Sequence, residues 1–213
     1  MTTKRRSSMT AAELTAKLQA NPEFVARNQV KEQERIKRSA RIRLEEAPIL
    51  AELCELGWEV QSVWDLVNTS SPYPEAIPIL IKHLLLPYSD VVKEGIARSL
   101  AVPELKVQEA WPLLVQEYRK APMGLGIKAP GDITEYRLSA KDGLACALVA
   151  SVTDETLPEL IALAKDRTLG ESRVLLLSAL KKLKDNNPLV QQAISELEHD
   201  PALRNEISSW GKS

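Results

Sequence analysis

The stretch YPEAIPILIKHLLLPYSDVVKEGIARSLAVPEL, residues 73–105, constrains the fold more than any other part of the chain. Ile77, Leu80, Ile81 and Leu84 follow the i, i+3, i+4, i+7 spacing that places side chains on one helical face. Pro87 closes that helix, because an interior proline removes a backbone donor and clashes one turn back. Ser89 stands where a hydroxyl can cap a second helix. Val92, Ile96 and Leu100 then recur every four residues, with Gly95 and Ser99 as small neighbours that allow close approach, and Pro103 marks the exit. Each helix has one apolar face. The pair cannot bury itself and demands packed neighbours.

Weaker copies lie on both sides. Ala47-Pro48-Ile49-Leu50, Ile77-Pro78-Ile79-Leu80, Trp111-Pro112-Leu113-Leu114 and Leu157-Pro158-Glu159-Leu160 read as equivalent first-helix starts, and Val190, Ala193, Ile194 and Leu197 keep the spacing without the proline. The starts at 47, 77, 111, 157 and 190 are separated by 30, 34, 46 and 33 residues, so three of four intervals fall near the period of helical-hairpin repeats. Second helices align through Lys93, Lys141 and Arg173, and a residue recurring in this way is expected to pack between repeats or cap a neighbouring helix. The long interval carries a 14-residue insertion within residues 121–140, which holds three of the eight glycines together with Lys128, Asp132, Glu135, Tyr136 and Arg137. A loop of that length is either functional or mere elaboration.

The N-terminal quarter differs. Thr10 and Glu13 have capping-box spacing, Asn21-Pro22 is a cap followed by proline, and a charged helix is expected to run to about Glu46. Residues 1–46 carry 11 Lys/Arg against 6 Asp/Glu, and the remainder carries 17 against 23. The organisation expected is a disordered segment 1–9, a charged helical arm 10–46 and a repeat domain 47–213. An acidic body disfavours a nucleic-acid groove there. Met1-Thr-Thr-Lys-Arg-Arg has no apolar run behind it, and no window approaches a membrane span, so a cytoplasmic chain with no membrane partner is expected. Cys54 and Cys146 then read as buried, reduced thiols.

The prolines of the first helices, the basic residues Lys93, Lys141 and Arg173, and endings such as Ile96-Ala97-Arg98-Ser99-Leu100 resemble the HEAT-repeat family of armadillo-like α-solenoids over residues 47–210. The segment from Trp64 to Val102 is also similar to an arrangement in bacterial HEAT-repeat proteins. The resemblance implies an all-α, right-handed α-solenoid of about five hairpins carrying the charged arm. It also implies a protein-binding scaffold or adaptor with no catalytic activity, whose partner is another protein or peptide. An inhibitor or immunity-type protein that holds a toxin is one specific form of that reading.

No constellation for catalysis, metal or cofactor stands out. His83 and His199 are the only histidines, and neither has a neighbour at zinc-ligand spacing. Gly126 and Gly131 have phosphate-loop spacing, but Asp132-Ile133 follows in place of Lys-Ser/Thr. Trp64-Asp65 invites comparison with HEAT-like glycosylases of alkylated DNA bases, which makes nucleic-acid or modified-base binding the alternative. The candidate partner contacts are residues that do not recur: Tyr73, Tyr88, Arg98, Lys128, Asp132, Glu135, Tyr136 and Arg137, since tyrosine and arginine serve well as interface anchors.

Overall fold

The computed structural model describes residues 9–123 and 139–211, so the expectations for residues 1–8 and for most of the insertion lie outside the described residues. Among those described there are twelve α-helices and one short 3-10 turn, with no strand. The chain divides into two compact units between Leu44 and Glu45.

The first unit holds α1 (Ala11–Gln19) and the N-terminal part of α2 (Pro22–Glu55). Thr10 and Glu13 form the expected reciprocal box: the Thr10 hydroxyl accepts from the Glu13 amide at 3.3 Å, and the Glu13 carboxylate accepts from the Thr10 amide at 2.9 Å. Asn21 Oδ1 accepts from the Glu23 and Phe24 amides and starts α2 as its sequence requires. No residue from Met9 to Glu45 is buried.

The sequence places a helix end near Glu46 and a new start at Ala47-Pro48, but α2 runs on to Glu55 with Pro48 inside it. Pro48 forgoes one bond, to the carbonyl of Leu44, whose residue is 78% exposed, so water can stand in for the lost amide. Beyond it, Glu46, Ile49 and Leu53 fall on one face and are buried, and that packing holds the helix past the proline. Gly57, at φ 86°, ends it: the Trp58 amide reaches the Leu53 carbonyl at 3.0 Å and the Gly57 amide the Cys54 carbonyl at 2.9 Å.

The second unit continues with α3 (Trp64–Val67), α4 (Ile77–Leu84), α5 (Asp90–Ser99), α6 (Leu105–Glu109), α7 (Trp111–Lys120), α8 (Ala140–Ser151), α9 (Leu157–Lys165), α10 (Arg173–Leu183), α11 (Pro188–Leu197) and α12 (Arg204–Ser209). Consecutive helices pair as α4 with α5, α7 with α8 and α9 with α10, while α5 packs on α8, α8 on α10 and α9 on α11. The predicted faces supply the core: Ile77, Leu80, Val92, Ile96, Leu100, Leu114, Leu148, Leu160 and Leu176 are fully buried. Each such side chain contributes about 1.5–3 kcal/mol by leaving water. Glycine sets the closest approaches. A Cβ on Gly143 would lie 2.9 Å from the Glu94 carbonyl oxygen, and one on Gly95 would lie 2.7 Å from Val63 Cγ2. Leu203, Ile207 and Trp210 are buried at the C-terminal end, as a closing face requires.

Of the three recurring basic residues two cap a neighbouring helix, and the third bridges from one helical pair to the next. Lys141 is buried over the Tyr118 ring and donates from Nζ to the Ala121 carbonyl at 2.9 Å, at the C-terminus of α7. Arg173, also buried, donates from Nη1 to the Ala164 carbonyl at 2.9 Å in the last turn of α9. Each satisfies carbonyls that a helix end leaves without partners, and each places positive charge at the negative end of the dipole. Lys93 differs: its Nζ lies 3.7 Å from Glu117 on α7.

Several local expectations are corrected. Ser89 stands at the N-cap of α5 but makes no side-chain cap bond; its amide donates to Glu45 instead. Asp200-Pro201, a cap-plus-proline pair in the sequence that would be expected to start a helix, does not do so: Asp200 accepts from the Ala202 amide and from Arg173, and α12 begins at Arg204. Cys54 is exposed, because continuation of α2 turns it outward, and both cysteines are free thiols.

Candidate second-helix groove

Arg98, Cys146 and Ser178 hold the same register in three second helices, each five residues after the recurring basic residue Lys93, Lys141 or Arg173. Unlike those basic residues, they differ from repeat to repeat, and they line adjoining depressions. The first, of about 500 Å³, is bounded by the segment Leu66–Tyr73, by Ala101–Glu104 after α5, and by Arg98 and Cys146. A second, of about 330 Å³, lies among Cys146, Val149, Val174, Leu175, Ser178 and Glu206. A third, of about 470 Å³, runs from Val149 and Val152 to Ala179, Lys182 and Leu183. Cys146 stands between the first and second, and Val149 between the second and third, so the three lie in a row across α5, α8 and α10. Such a concave, mostly apolar lining with few polar groups is what a bound side chain or small ligand requires.

The wall behind Arg98 is polar. Its Nε donates to Glu94 Oε1 at 2.9 Å, and its Nη1 lies 3.8 Å from Cys146 Sγ. Glu94 and Asp142 are buried, and burial pushes both carboxyls up, partly offset by Arg98 for Glu94 and by Ser139 for Asp142. Asp90, raised by burial too, accepts from the Ala140 amide at 3.2 Å and steadies the start of α8. Ser139 and Asp142 form a second capping box that sequence reasoning overlooked, although S-x-x-D before an apolar run is its signature. Burial also raises the Cys146 thiol, which keeps it protonated near neutral pH and a poor nucleophile.

The predicted contact residues scatter. Arg98 lies in the groove. Tyr73 does not serve as an exposed anchor: it is buried, its hydroxyl donates to the Ser99 carbonyl at 2.8 Å, and Trp58 meets it edge-on at 6.0 Å between ring centroids. Tyr88 is half-buried against His83, with its hydroxyl 2.7 Å from Nδ1. On the other side of that imidazole, Nε2 lies 3.1 Å from Glu52 Oε1, yet off the line a hydrogen bond needs, so the contact is electrostatic and the nitrogen lacks a directed partner. Lys82 holds both oxygens of Glu52 at 2.7 and 2.9 Å. Carboxylate, imidazole and hydroxyl stand in the order of a hydrolytic relay, but burial, then Glu52 and Glu45, push the Tyr88 hydroxyl up, away from nucleophilic use. Lys128, Asp132, Glu135, Tyr136 and Arg137 lie outside the described residues.

Trp64 and Asp65 are structural. Trp64 Nε1 occupies the space 2.9 Å from where a Gly95 Cβ would stand, and Asp65 Oδ2 accepts from the Gln61 and Ser62 amides at 2.8 and 3.1 Å. Among the described residues no group of His, Cys, Asp and Glu is arranged to hold a metal ion, and no helix is long and apolar enough to cross a membrane. The described residues thus form an all-helical protein with a row of mainly apolar depressions along three helices. No family model, curated protein or solved structure matches the chain.

Proposed function

We propose that the chain is a HEAT-like α-solenoid acting as a protein-binding scaffold or adaptor, with a partner segment seated on the faces of α5, α8 and α10. The contacts of α5 with α8, α8 with α10 and α9 with α11, and the recurring caps at Lys141 and Arg173, support the solenoid reading. One observation carries the binding reading: Arg98, Cys146 and Ser178 share a register, vary in chemistry and line adjoining depressions. A constant frame presenting changing side chains along a concave face is how stacked helical pairs read an extended partner. Apolar partner side chains would fill the depressions, with Arg98 at one end and Lys182 at the other meeting polar or acidic groups.

The test is recovery of crosslinked partners from native cells, using the full chain and the variants Val149→Trp and Arg98→Ala. Val149 is partly exposed, so Val149→Trp should keep the wild-type helical spectrum and melting temperature; Arg98→Ala unpairs buried Glu94 and should melt lower, so recovery is compared well below the melting temperature of all three proteins. A partner held by the wild type should be lost from Val149→Trp and weakened by Arg98→Ala. Identical recovery from all three proteins would place binding elsewhere and overturn the reading.

A further inference from the structure

The N-terminal part of α2 is a second and different surface. Every residue from Ala26 to Arg41 is exposed, over about 24 Å of helix at about 1.5 Å per residue. Helices in proteins are held mainly by packing of an apolar face, and the face of this stretch is covered by no described residue of its own unit. At about 3.6 residues per turn, Ala26, Gln29, Val30, Gln33, Ile36, Ala40 and Leu44 share one stripe, in which Lys37 is the one charged residue. Val30, Ile36 and Leu44 in it are 58%, 48% and 78% exposed. Positions 26, 29, 33, 36 and 40 alternate three and four, with Ala26, Ile36 and Ala40 apolar and Gln29 and Gln33 polar between them, and the alanines permit close approach of a second helix.

Charge selects the partner. From Arg35 to Arg43 five of nine residues are basic and none is acidic. Lys37 lies within the stripe, and Arg41 borders it on one side and Arg43 on the other; nearer the N-terminus the same flanks carry Glu34 and Glu32, the latter tied to Arg35 at 2.6 Å. A second copy laid parallel on this segment would set like charges together, whereas an acidic helix would meet opposite charges along Lys37, Arg41 and Arg43. We propose that residues 25–44 dock an acidic amphipathic helix of another protein, its apolar seam on Ile36, Ala40 and Leu44 and its carboxylates on Lys37, Arg41 and Arg43.

Two fluorescent peptides of about three heptads test this against the full chain by polarisation. Both carry Leu and Ile at seam positions, one flanked by Glu and the other by Lys. The Glu-flanked peptide should bind, and at least about tenfold more tightly than its counterpart. Ile36→Asp, or Lys37→Glu with Arg41→Glu, should weaken it about tenfold, and raising salt from about 50 to about 300 mM should weaken it several-fold. These positions are exposed, so the variants keep the parent's helicity. The proposal is overturned by no binding of the Glu-flanked peptide, by equal binding of both, or by Ile36→Asp binding unchanged. Self-association in sedimentation that Ile36→Asp abolishes also overturns it, in favour of a second copy. So does tighter binding to phosphatidylserine vesicles or duplex RNA that ignores Ile36→Asp.

Discussion

Replacing Arg173 with Met should destabilise the second unit by about 3 kcal/mol. Three hydrogen bonds end on this buried guanidinium: Nε to the Gly170 carbonyl at 2.9 Å, and Nη1 to the Ala164 carbonyl at 2.9 Å and to Asp200 Oδ2 at 3.0 Å. Removing it uncaps α9 and strips a buried carboxylate of its nearest cation. Breaking a buried pair from one side costs about 3–5 kcal/mol. Arg167 Nε remains 3.2 Å from the same oxygen and continues to neutralise it, which holds the cost near the lower end. For a chain of this size that is a fall in Tm of about 6–12 °C. Urea and thermal unfolding followed by circular dichroism measure it. The double variant Arg173→Met with Asp200→Asn should lose less than the sum of its parts by about 1–3 kcal/mol. The pH dependence has a definite sign. The Ala202 amide, then Arg173, hold the Asp200 carboxyl below the usual range, so its contribution is present above the unfolded value near pH 4. It is lost as pH falls through the folded value, so the gap between wild type and Arg173→Met should narrow below about pH 4. A loss under about 0.5 kcal/mol at neutral pH would refute the account of Arg173 as cap and counter-ion.

Gly143→Ala should destabilise by about 1–3 kcal/mol despite the better helix propensity of alanine, because the added Cβ would meet the Glu94 carbonyl at 2.9 Å and Ala97 Cβ at 3.0 Å; a rise in Tm would show that α5 and α8 yield freely. Glu46 is buried and its carboxyl is pushed up by burial, against hydrogen bonds from Ser62 and the Val63 amide, so the folded state favours its neutral form. Its stabilising effect is therefore full below the unfolded pKa and lost as pH rises through the folded one, and Glu46→Gln should raise the urea midpoint at pH 7.5 while leaving it nearly unchanged at pH 4. A thiol-reactive dye should label exposed Cys54 rapidly and Cys146 slowly, since burial both shields and raises the Cys146 thiol; equal rates would mean that the groove opens on the labelling timescale.

What was legible in the sequence follows the range of the interactions. Thr10 with Glu13, Asn21 and Asn187 act within one turn, so their residue types name their roles directly. Apolar faces at helical spacing were equally plain. Tyr73 misled because its partner, the Ser99 carbonyl, lies 26 residues away, and only packing decides that a tyrosine without a repeat counterpart belongs to the core. Pro48 misled because a proline that starts a helix and one tolerated inside a helix look alike; the burial of Glu46, Ile49 and Leu53 decided between them.

The groove was half legible, and the missing half explains why it exists. Aligning second helices on Lys93, Lys141 and Arg173 isolates what recurs, and the structure turns two of those residues back toward the ends of α7 and α9. Five residues on is about one and a third turns of helix, roughly 140° around it. A residue there faces away from the capped helix, toward the side that α5, α8 and α10 leave open. Arg98, Cys146 and Ser178 occupy that position, and nothing in the capping role restrains their chemistry. The cap fixes the rotation of α8 and α10, the ion pair of Lys93 with Glu117 orients α5, and the rotation fixes which residue looks into the depressions. A binding surface on this frame can therefore change residue by residue while the frame stays as it is. On that argument, exchanging Arg98, Cys146 or Ser178 for one another should alter partner affinity more than stability, whereas exchanging Lys141 or Arg173 should do the reverse.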